Sequence, residues 1–497
     1  MPKAEIFQDI PLPTSSDTQE LWRWLYTELR AAILDGRLKR GARLPSTRSL
    51  AQQYGLSRGT VSTAFDQLQA EGYTRTEVGS GTYVASGLPD RTFVARSATR
   101  SAPNLPPSQA TLSKRAQETL KDIKTLPATH SVGKAFRSYE PAIDLFPVDL
   151  WARISARVLR RAPRSLYGQG STTGYQPLRR AIAEYIGGSR GVRCSPDQVI
   201  VTSGAQQALD LLGRLLLDPG DRVWMEDPGY PGACWALRAA GAHIIPVPVD
   251  QDGLVVEAAR KLSPQAKLVY VTPANQFPLG VTMSADRRME LLEWAVSARA
   301  WVVEDEYDAE YRYYGRPVAA LQSLDRSGSV IYVGTFTKML FNALRLGFLV
   351  VPERLAGAFE AARSLVDRHP PTLDQAILAE FITEGHFGHH VRRMRQTYSE
   401  RMTVLREAVR KHLGGLLDLT PTAAGMRAVG WLPARVSDKA AARRAQMLGL
   451  ELTALSTFTM QHSHKPALIL GFAGCNPGEL RRGASVLAAV LGNDERS

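Results

Sequence analysis

Val302-Val-Glu-Asp-Glu-Tyr-Asp308 and, further on, Gly334-Thr-Phe-Thr-Lys-Met-Leu340 are the two stretches from which the rest of this chain can be read. Each begins in or just after a short apolar run, 300–304 and 330–334, of a length suited to a buried strand. Each then sets down chemically capable side chains: Asp305 and Tyr307 in the first, Thr335 and Lys338 in the second. Comparable runs occur at 199–202, 222–226, 243–249, 267–271 and 346–350, with helices readable between most of them, for example over 206–217. Strands alternating with helices predict a largely parallel sheet covered on both faces. In such sheets ligands sit at the carboxyl ends of the strands, which is where these residues fall. The thirty-three residues from Asp305 to Lys338 leave room for a strand, a helix and a second strand. From about Thr383 the pattern predicts helices and a small sheet, a second lobe of the same unit.

Towards the N-terminus the pattern is different. Leu21, Trp24, Leu25, Leu29, Ile33 and Leu34 recur at helical spacing over 18–35, and Gly36 ends that helix. A short helix over 46–54 has Ser46 as its N-cap, Gly55 makes a turn, and Ser57 opens a helix to about 71 with Val61, Ala64, Phe65 and Leu68 inward. Two β-like pieces, 73–76 and 82–84, are joined by Gly79-Ser80-Gly81. Helix, helix–turn–helix and glycine-tipped hairpin predict an α+β winged helix. Between Gly36 and Phe65 stand Arg37, Lys39, Arg40, Arg43, Arg48 and Arg58, and no acidic residue. Cations near two helix starts grip phosphates, and small polar side chains enter a groove. Ser57, Arg58, Gly59, Thr60 and Ser62 cluster where helix N–H groups also attract phosphate. Double-stranded DNA is the expected partner.

Composition agrees with two domains. The chain has 497 residues, 44% hydrophobic and 22% charged, with a formal charge of +13 that suits a polyanionic partner. No uncharged apolar run approaches a membrane span, and the start lacks a signal-peptide core, so a cytoplasmic protein is expected. Cys194, Cys234 and Cys475 are scattered and form no CxxC pair, so neither a disulfide framework nor a zinc module is expected. Between Ser86 and Lys124 proline, serine and alanine dominate, with seven basic and three acidic residues. The expected division is a DNA-binding domain over 15–86, a flexible basic linker over 87–125, and an effector domain over 126–497.

The strand-end residues meet the demands of pyridoxal 5'-phosphate chemistry: a Schiff-base lysine, a carboxylate for the pyridine nitrogen, a hydroxyl near the phenolic oxygen, an aromatic over the ring, and phosphate donors. Lys338 is the expected Schiff-base lysine, Asp305 the carboxylate and Tyr307 the hydroxyl. Tyr230, in Glu226-Asp-Pro-Gly-Tyr-Pro-Gly, is the aromatic. Arg345 offers a planar donor fork, and Ser203-Gly-Ala-Gln-Gln begins a helix whose Ala205 and Gln206 N–H groups face an anion. Ser203 belongs to the same loop, and Thr335 adds a hydroxyl.

Two resemblances follow. Ile33-Leu-Asp-Gly-Arg-Leu, Leu44-Pro-Ser-Thr-Arg-Ser-Leu-Ala, Leu56-Ser-Arg-Gly-Thr-Val, Leu68-Gln-Ala-Glu-Gly-Tyr and Gly79-Ser-Gly-Thr-Tyr-Val resemble the GntR-type winged helix. The resemblance implies that Arg48, Arg58 and Thr60 contact DNA, assisted by Gly79 and Gly81. The ordered set of phosphate loop, aromatic, Asp-x-Tyr and Thr-x-x-Lys followed by Arg resembles fold-type I aminotransferases over roughly 350 residues. That implies an aspartate aminotransferase-like α/β fold with a large and a small lobe. Tyr167, in Ser165-Leu-Tyr-Gly, is similar to the tyrosine such dimers pass to the partner's site. The combination is similar to the MocR family nearly end to end. It implies a head-to-tail homodimer, the cofactor held as an aldimine on Lys338, an amine or amino-acid-like effector (or the cofactor itself) as signal, and transcription rather than turnover as output.

The sequence departs from the aminotransferase pattern twice. Where an Asn-Pro-x-Gly turn is usual, this chain has Asn275-Gln-Phe-Pro-Leu-Gly, with Phe277 at the Asn position. Phenolic-oxygen support then falls on Tyr307, with Asn275 as a substitute. Where amino-acid enzymes carry a carboxylate-binding arginine, Leu468-Ile-Leu-Gly-Phe-Ala has Ile469, and Arg427 is the nearest candidate. His386, His389 and His390 have metal-like spacing, but no carboxylate or cysteine joins them on that face, so no metal site is expected. A working aminotransferase carrying a DNA tether is the competing expectation, with released Lys338 as its base.

Overall fold

A computed structural model describes residues 18–77, 79–87, 111–122, 134–315, 318–420, 422–462 and 464–492. They divide into two compact units between Ala110 and Thr111.

The first unit is the expected winged helix. Its helices are Thr18–Leu34, Thr47–Tyr54 and Arg58–Ala70. Ser46 and Ser57 cap the second and third by accepting the N–H groups of Ser49 and Thr60. Leu25, Leu29, Ile33, Leu50, Val61, Ala64, Phe65 and Leu68 form one buried core. The wing is β1 (Thr74–Glu77) paired antiparallel with β2 (Gly81–Val84). Gly81 has φ +125°, and a Cβ there would stand 2.8 Å from Nε of Arg43, so the wing closes over that arginine only with glycine.

Part of the stretch expected to be a flexible linker is ordered differently. Lys114–Asp122 is a helix and lies alongside the helix Pro231–Ala239. Lys, Arg, Ala, Gln, Glu and Leu are all good helix formers, and this local composition outweighs the proline and serine upstream. The proline-rich piece 102–108 lies outside the described residues.

The second unit carries an eight-stranded sheet. Its strands are β3 (Val199–Thr202), β4 (Arg222–Asp227), β5 (His243–Asp250), β6 (Gly253–Leu254), β7 (Leu268–Val271), β8 (Trp301–Glu306), β9 (Val330–Thr335) and β10 (Gly347–Val350), in the order β3-β10-β9-β8-β7-β4-β5-β6. The run β9-β8-β7-β4-β5 is parallel, whereas β10 is antiparallel to both its neighbours. Strand alternation divides the side chains between two layers. Val223, Met225, Tyr270 and Val303 pack under the helices Ala205–Leu216 and Pro231–Ala239, while Trp224, Val269, Val271 and Val302 pack towards Ala285–Ala298. The smaller lobe is an antiparallel sheet of β11 (Asp418–Leu419), β12 (Arg427–Trp431), β13 (Thr453–Ala454) and β14 (Ala467–Gly471), ordered β11-β12-β14-β13. The segment entering this unit crosses that sheet: Phe136 bridges Gly471, where a Cβ would meet the Arg137 carbonyl oxygen at 1.9 Å. No helix among the described residues is long and apolar enough to cross a membrane.

Candidate functional site

Lys338 lies three residues beyond β9, at the carboxyl end of the parallel strands. Its Nζ donates to the Tyr139 carbonyl oxygen at 2.8 Å and to Asn342 Oδ1 at 3.2 Å. Desolvation of the ammonium head, with the nearby guanidinium groups of Arg427 and Arg345, pushes its pKa down to about 8. Asp305, on neighbouring β8, is buried. One carboxylate oxygen accepts the Tyr270 hydroxyl at 2.7 Å, and the other, Oδ1, is buried with no partner. Burial pushes this acid up to about 7, against the lowering effect of the Tyr270 hydrogen bond. A buried carboxylate in that condition lacks a cation.

The anion end is built at the start of the helix Ala205–Leu216. Gly204, with φ +95°, turns the chain from β3 into the helix, so the N–H groups of Ala205 and Gln206 fall in the first turn, where helix N–H groups have no intrahelical acceptor. The Arg345 guanidinium donates to the Ser203 carbonyl at 2.9 Å and would lie 3.4 Å from a Cβ on Gly204. Arg345 itself is exposed at the mouth of the site. The Gln206 side chain is turned away, donating to the Gly232 carbonyl at 2.9 Å, so its backbone is what the site can use. Thr335 is buried, and its hydroxyl pairs with that of Thr337 at 3.0 Å.

A polar network fills the opposite wall. Tyr307 donates to the Asn275 carbonyl at 2.6 Å and accepts from Arg427 Nη2. Asn275 Nδ2 is held by both oxygens of Asp308, at 2.8 and 2.9 Å, and lies 3.3 Å from the Tyr307 oxygen. Burial drives the Tyr307 phenol well above its ordinary pKa, and Arg427 opposes this. Tyr230 meets Phe277 edge-on at 5.5 Å, Phe277 stacks with Tyr139 at 6.2 Å, and the Arg427 guanidinium lies 4.4 Å from the Phe277 ring centre. Ile469 is buried in the same cluster, beside Val429, Leu455 and Phe458.

These residues fit pyridoxal 5'-phosphate. The orphaned Asp305 oxygen suits a protonated pyridine nitrogen, and the helix start with Arg345 suits a phosphate. A partly neutral amine at Lys338 suits an aldehyde. Because only the neutral amine attacks, capture of the cofactor by stripped protein should quicken about tenfold per pH unit below about 8 and level off above it. Stopped-flow absorbance checks this; a plateau reached only near the ordinary lysine pKa would contradict it.

Sequence reasoning missed Tyr139, whose backbone oxygen accepts from Lys338 and whose ring lies 5.7 Å from the same nitrogen, and Tyr270, which orients Asp305. Neither sits in a motif. Tyr270 pairs with Val303 across the β7–β8 register, so a long-range pairing brings it to Asp305. Tyr167 does not share the hydrogen-bond network: it is 60% exposed and donates to the Leu159 carbonyl at 3.1 Å. The three histidines point to separate partners, His390 to the Met339 carbonyl, His386 to Glu384 and His389 to Arg392.

On the winged helix, Arg48, Ser57, Arg58 and Ser62 are exposed, as expected of a DNA face. Thr60 is not. It is 5% exposed, and its hydroxyl lies 2.8 Å from the Ser57 oxygen. Thr60 is the third residue after the cap, a position whose side chain folds back onto the cap, so the expectation that it touches DNA is corrected. Arg43, which bridges to Tyr83 beside Gly79 and Gly81, joins the exposed cations of this face.

Comparisons with known proteins agree with both halves. Residues 23–84 match the bacterial regulatory proteins of the gntR family, and residues 142–487 match aminotransferase class I and II. The chain is 44% identical to the probable rhizopine catabolism regulatory protein MocR of Rhizobium meliloti, over 94% of this chain and 93% of that protein. It is 31% identical to the pyridoxine biosynthesis transcriptional regulator PdxR of Corynebacterium glutamicum, over 94% of each. Kynurenine aminotransferase of Pyrococcus horikoshii superposes with a TM-score of 0.69 at 29% identity, covering 78% of this chain and 96% of that one. With a gntR-type winged helix ahead of a fold-type I aminotransferase domain suited to pyridoxal 5'-phosphate, the chain belongs to the MocR-type transcriptional regulators.

Proposed function

We propose that this protein is a pyridoxal 5'-phosphate-dependent regulator in which a primary amine reaching Lys338 alters operator binding by the winged helix. The observation that carries the reading is the Lys338 hydrogen bond to the Tyr139 carbonyl. A change at the lysine would break this bond to the stretch 134–140, which in sequence follows the helix Lys114–Asp122 near the start of the effector unit. When bound, the cofactor supplies an aldehyde carbon onto which amines exchange. Lys338 binds it, Asp305 holds its ring nitrogen, Tyr307 and Asn275 face its phenolic oxygen, and Tyr230 covers the ring. Ser203, Ala205, Gln206, Thr335 and Arg345 take the phosphate. Arg48, Arg58 and Ser62 contact operator DNA, with Gly79 and Gly81 admitting the wing to the adjacent groove. The working assembly is a head-to-tail homodimer in the cytoplasm, with the exposed Tyr167 entering the partner's site. The DNA-binding domain spans 15–86 and the effector domain the remainder beyond the linker.

The test is a fluorescence-anisotropy titration of holo-protein against a duplex selected from a random pool, with and without a panel of primary amines. A several-fold change in affinity with at least one amine, absent in cofactor-stripped protein, is expected. Unchanged affinity across the panel overturns the regulatory coupling. A second reading, a working aminotransferase, draws on the pKa of about 8 at Lys338, which suits a general base. Sustained transfer from an amino donor to a keto acceptor over many turnovers would favour it.

A further inference from the structure

Arg427 is buried, and among the described residues no carboxylate forms an ion pair with it. Its Nη2 donates to the Tyr307 hydroxyl, and its Nε is buried without a partner. Burial disfavours the charge on this guanidinium, and the Tyr307 hydroxyl and the Asp308 carboxylate oppose that, but an enclosed cation with an unused donor is costly unless an anion completes it. Its head lies over Phe277, whose ring stacks on Tyr139, and the Tyr139 ring is 5.7 Å from the Lys338 nitrogen. The cation and the reactive amine therefore border one aromatic cluster.

The sheet register explains how the cation reached this place. In the β12–β14 pairing Val429 is opposite Ile469, and Arg427 is opposite Gly471. Residues two apart on a strand share a face, so Arg427 emerges on the face of Val429 and Ile469, one step along. At Gly471 the space a side chain would take is filled by the backbone of Arg137 and Ser138. Position 469, where amino-acid enzymes carry a carboxylate-binding arginine, is instead part of an apolar wall with Val429, Leu455 and Phe458.

We propose that Arg427 receives a carboxylate on the effector, so that the signal is an amino acid rather than a simple amine. This rests on the reading of Lys338 as the amine-reactive site. The guanidinium offers its free Nε to a planar oxyanion, while the amine of the same molecule lies towards Lys338. A carboxylate bonded to a charged donor gains enough that an amino acid should bind at least about tenfold more tightly than its decarboxylated counterpart.

The experiment titrates holo-protein, by the change in cofactor absorbance, with two matched pairs: L-leucine against 3-methylbutylamine, and L-phenylalanine against 2-phenylethylamine. In the natural protein each amino acid should bind at least about tenfold better than its amine. In Arg427→Gln that ratio should collapse to about one, over and above any common change that both affinities take from losing the guanidinium beside Tyr307 and Lys338. The double variant Arg427→Gln/Ile469→Arg should restore the preference from the adjacent strand, which a purely structural role for Arg427 would not allow. Equal binding of acid and amine by the natural protein overturns the proposal. So does an equal loss of both in Arg427→Gln, and if that variant does not retain cofactor, Arg427→Lys, which keeps the charge and loses the fork, must still weaken the acid selectively. Should none of the four probes perturb the spectrum, the amine-sensing reading falls, and this proposal with it; if the amines bind without discrimination, only the Arg427 assignment falls.

Discussion

Lys338→Ala is expected to abolish the cofactor adduct that borohydride fixes on the natural protein, with the corresponding mass increase falling to background. The residue sits where the parallel strands end, burial lowers its amine pKa to about 8, and it already donates to the Tyr139 carbonyl. The phosphate donors at Arg345 and the helix start remain in the variant, so free cofactor should still bind reversibly and exchange on dialysis. Operator DNA should be bound as before, because the gntR-type winged helix belongs to the other unit. Any amine-dependent change in that binding should disappear. A reducible adduct of undiminished yield, mapped to another lysine by peptide mass, would show that the site has been placed wrongly.

Asp305→Asn should weaken cofactor binding by about 10²–10⁴-fold, the equivalent of the roughly 3–5 kcal/mol lost when one partner of a buried charge pair is removed. With no cation beside it the acid is held up at about 7 by burial, and one oxygen is orphaned. A protonated pyridine nitrogen reverses both conditions: the cation draws the pKa back down and occupies the free oxygen. An asparagine keeps the shape and the Tyr270 contact but has no charge to offer. The sign fixes a pH dependence as well. Below about 7 the Asp305 carboxyl of cofactor-free protein is increasingly protonated, so cofactor affinity in the natural protein should decline on acidification, whereas the variant should lack that component. Equilibrium dialysis across this range measures both. An affinity within about threefold of the natural protein would remove Asp305 from the ring-nitrogen role.

Much of this molecule was legible before any coordinates. Apolar runs of strand length predicted seven strands of the large sheet within about two residues at each end, because burial on both faces leaves an uninterrupted apolar signature. The caps at Ser46 and Ser57 and the inward face of Val61, Ala64, Phe65 and Leu68 followed from helical spacing. The direction of β10 did not follow, since a buried strand reads the same either way. Nor did the helix Lys114–Asp122, which a proline- and serine-rich context concealed.

The sequence alone determined the two-part organisation and the order of the strand-end residues, and so singled out Lys338, Asp305, Tyr307 and Arg345 as candidates, because local periodicity and short motifs are properties of neighbouring residues. Tertiary structure decided what pairs across long separations: Tyr270 with Asp305, the Tyr139 carbonyl with Lys338, and Arg427 with Tyr307 in place of an arginine at 469. It also turned Thr60 inward. Those outcomes depend on strand register and on which side chain must satisfy a helix end, and neither is fixed until distant segments have packed.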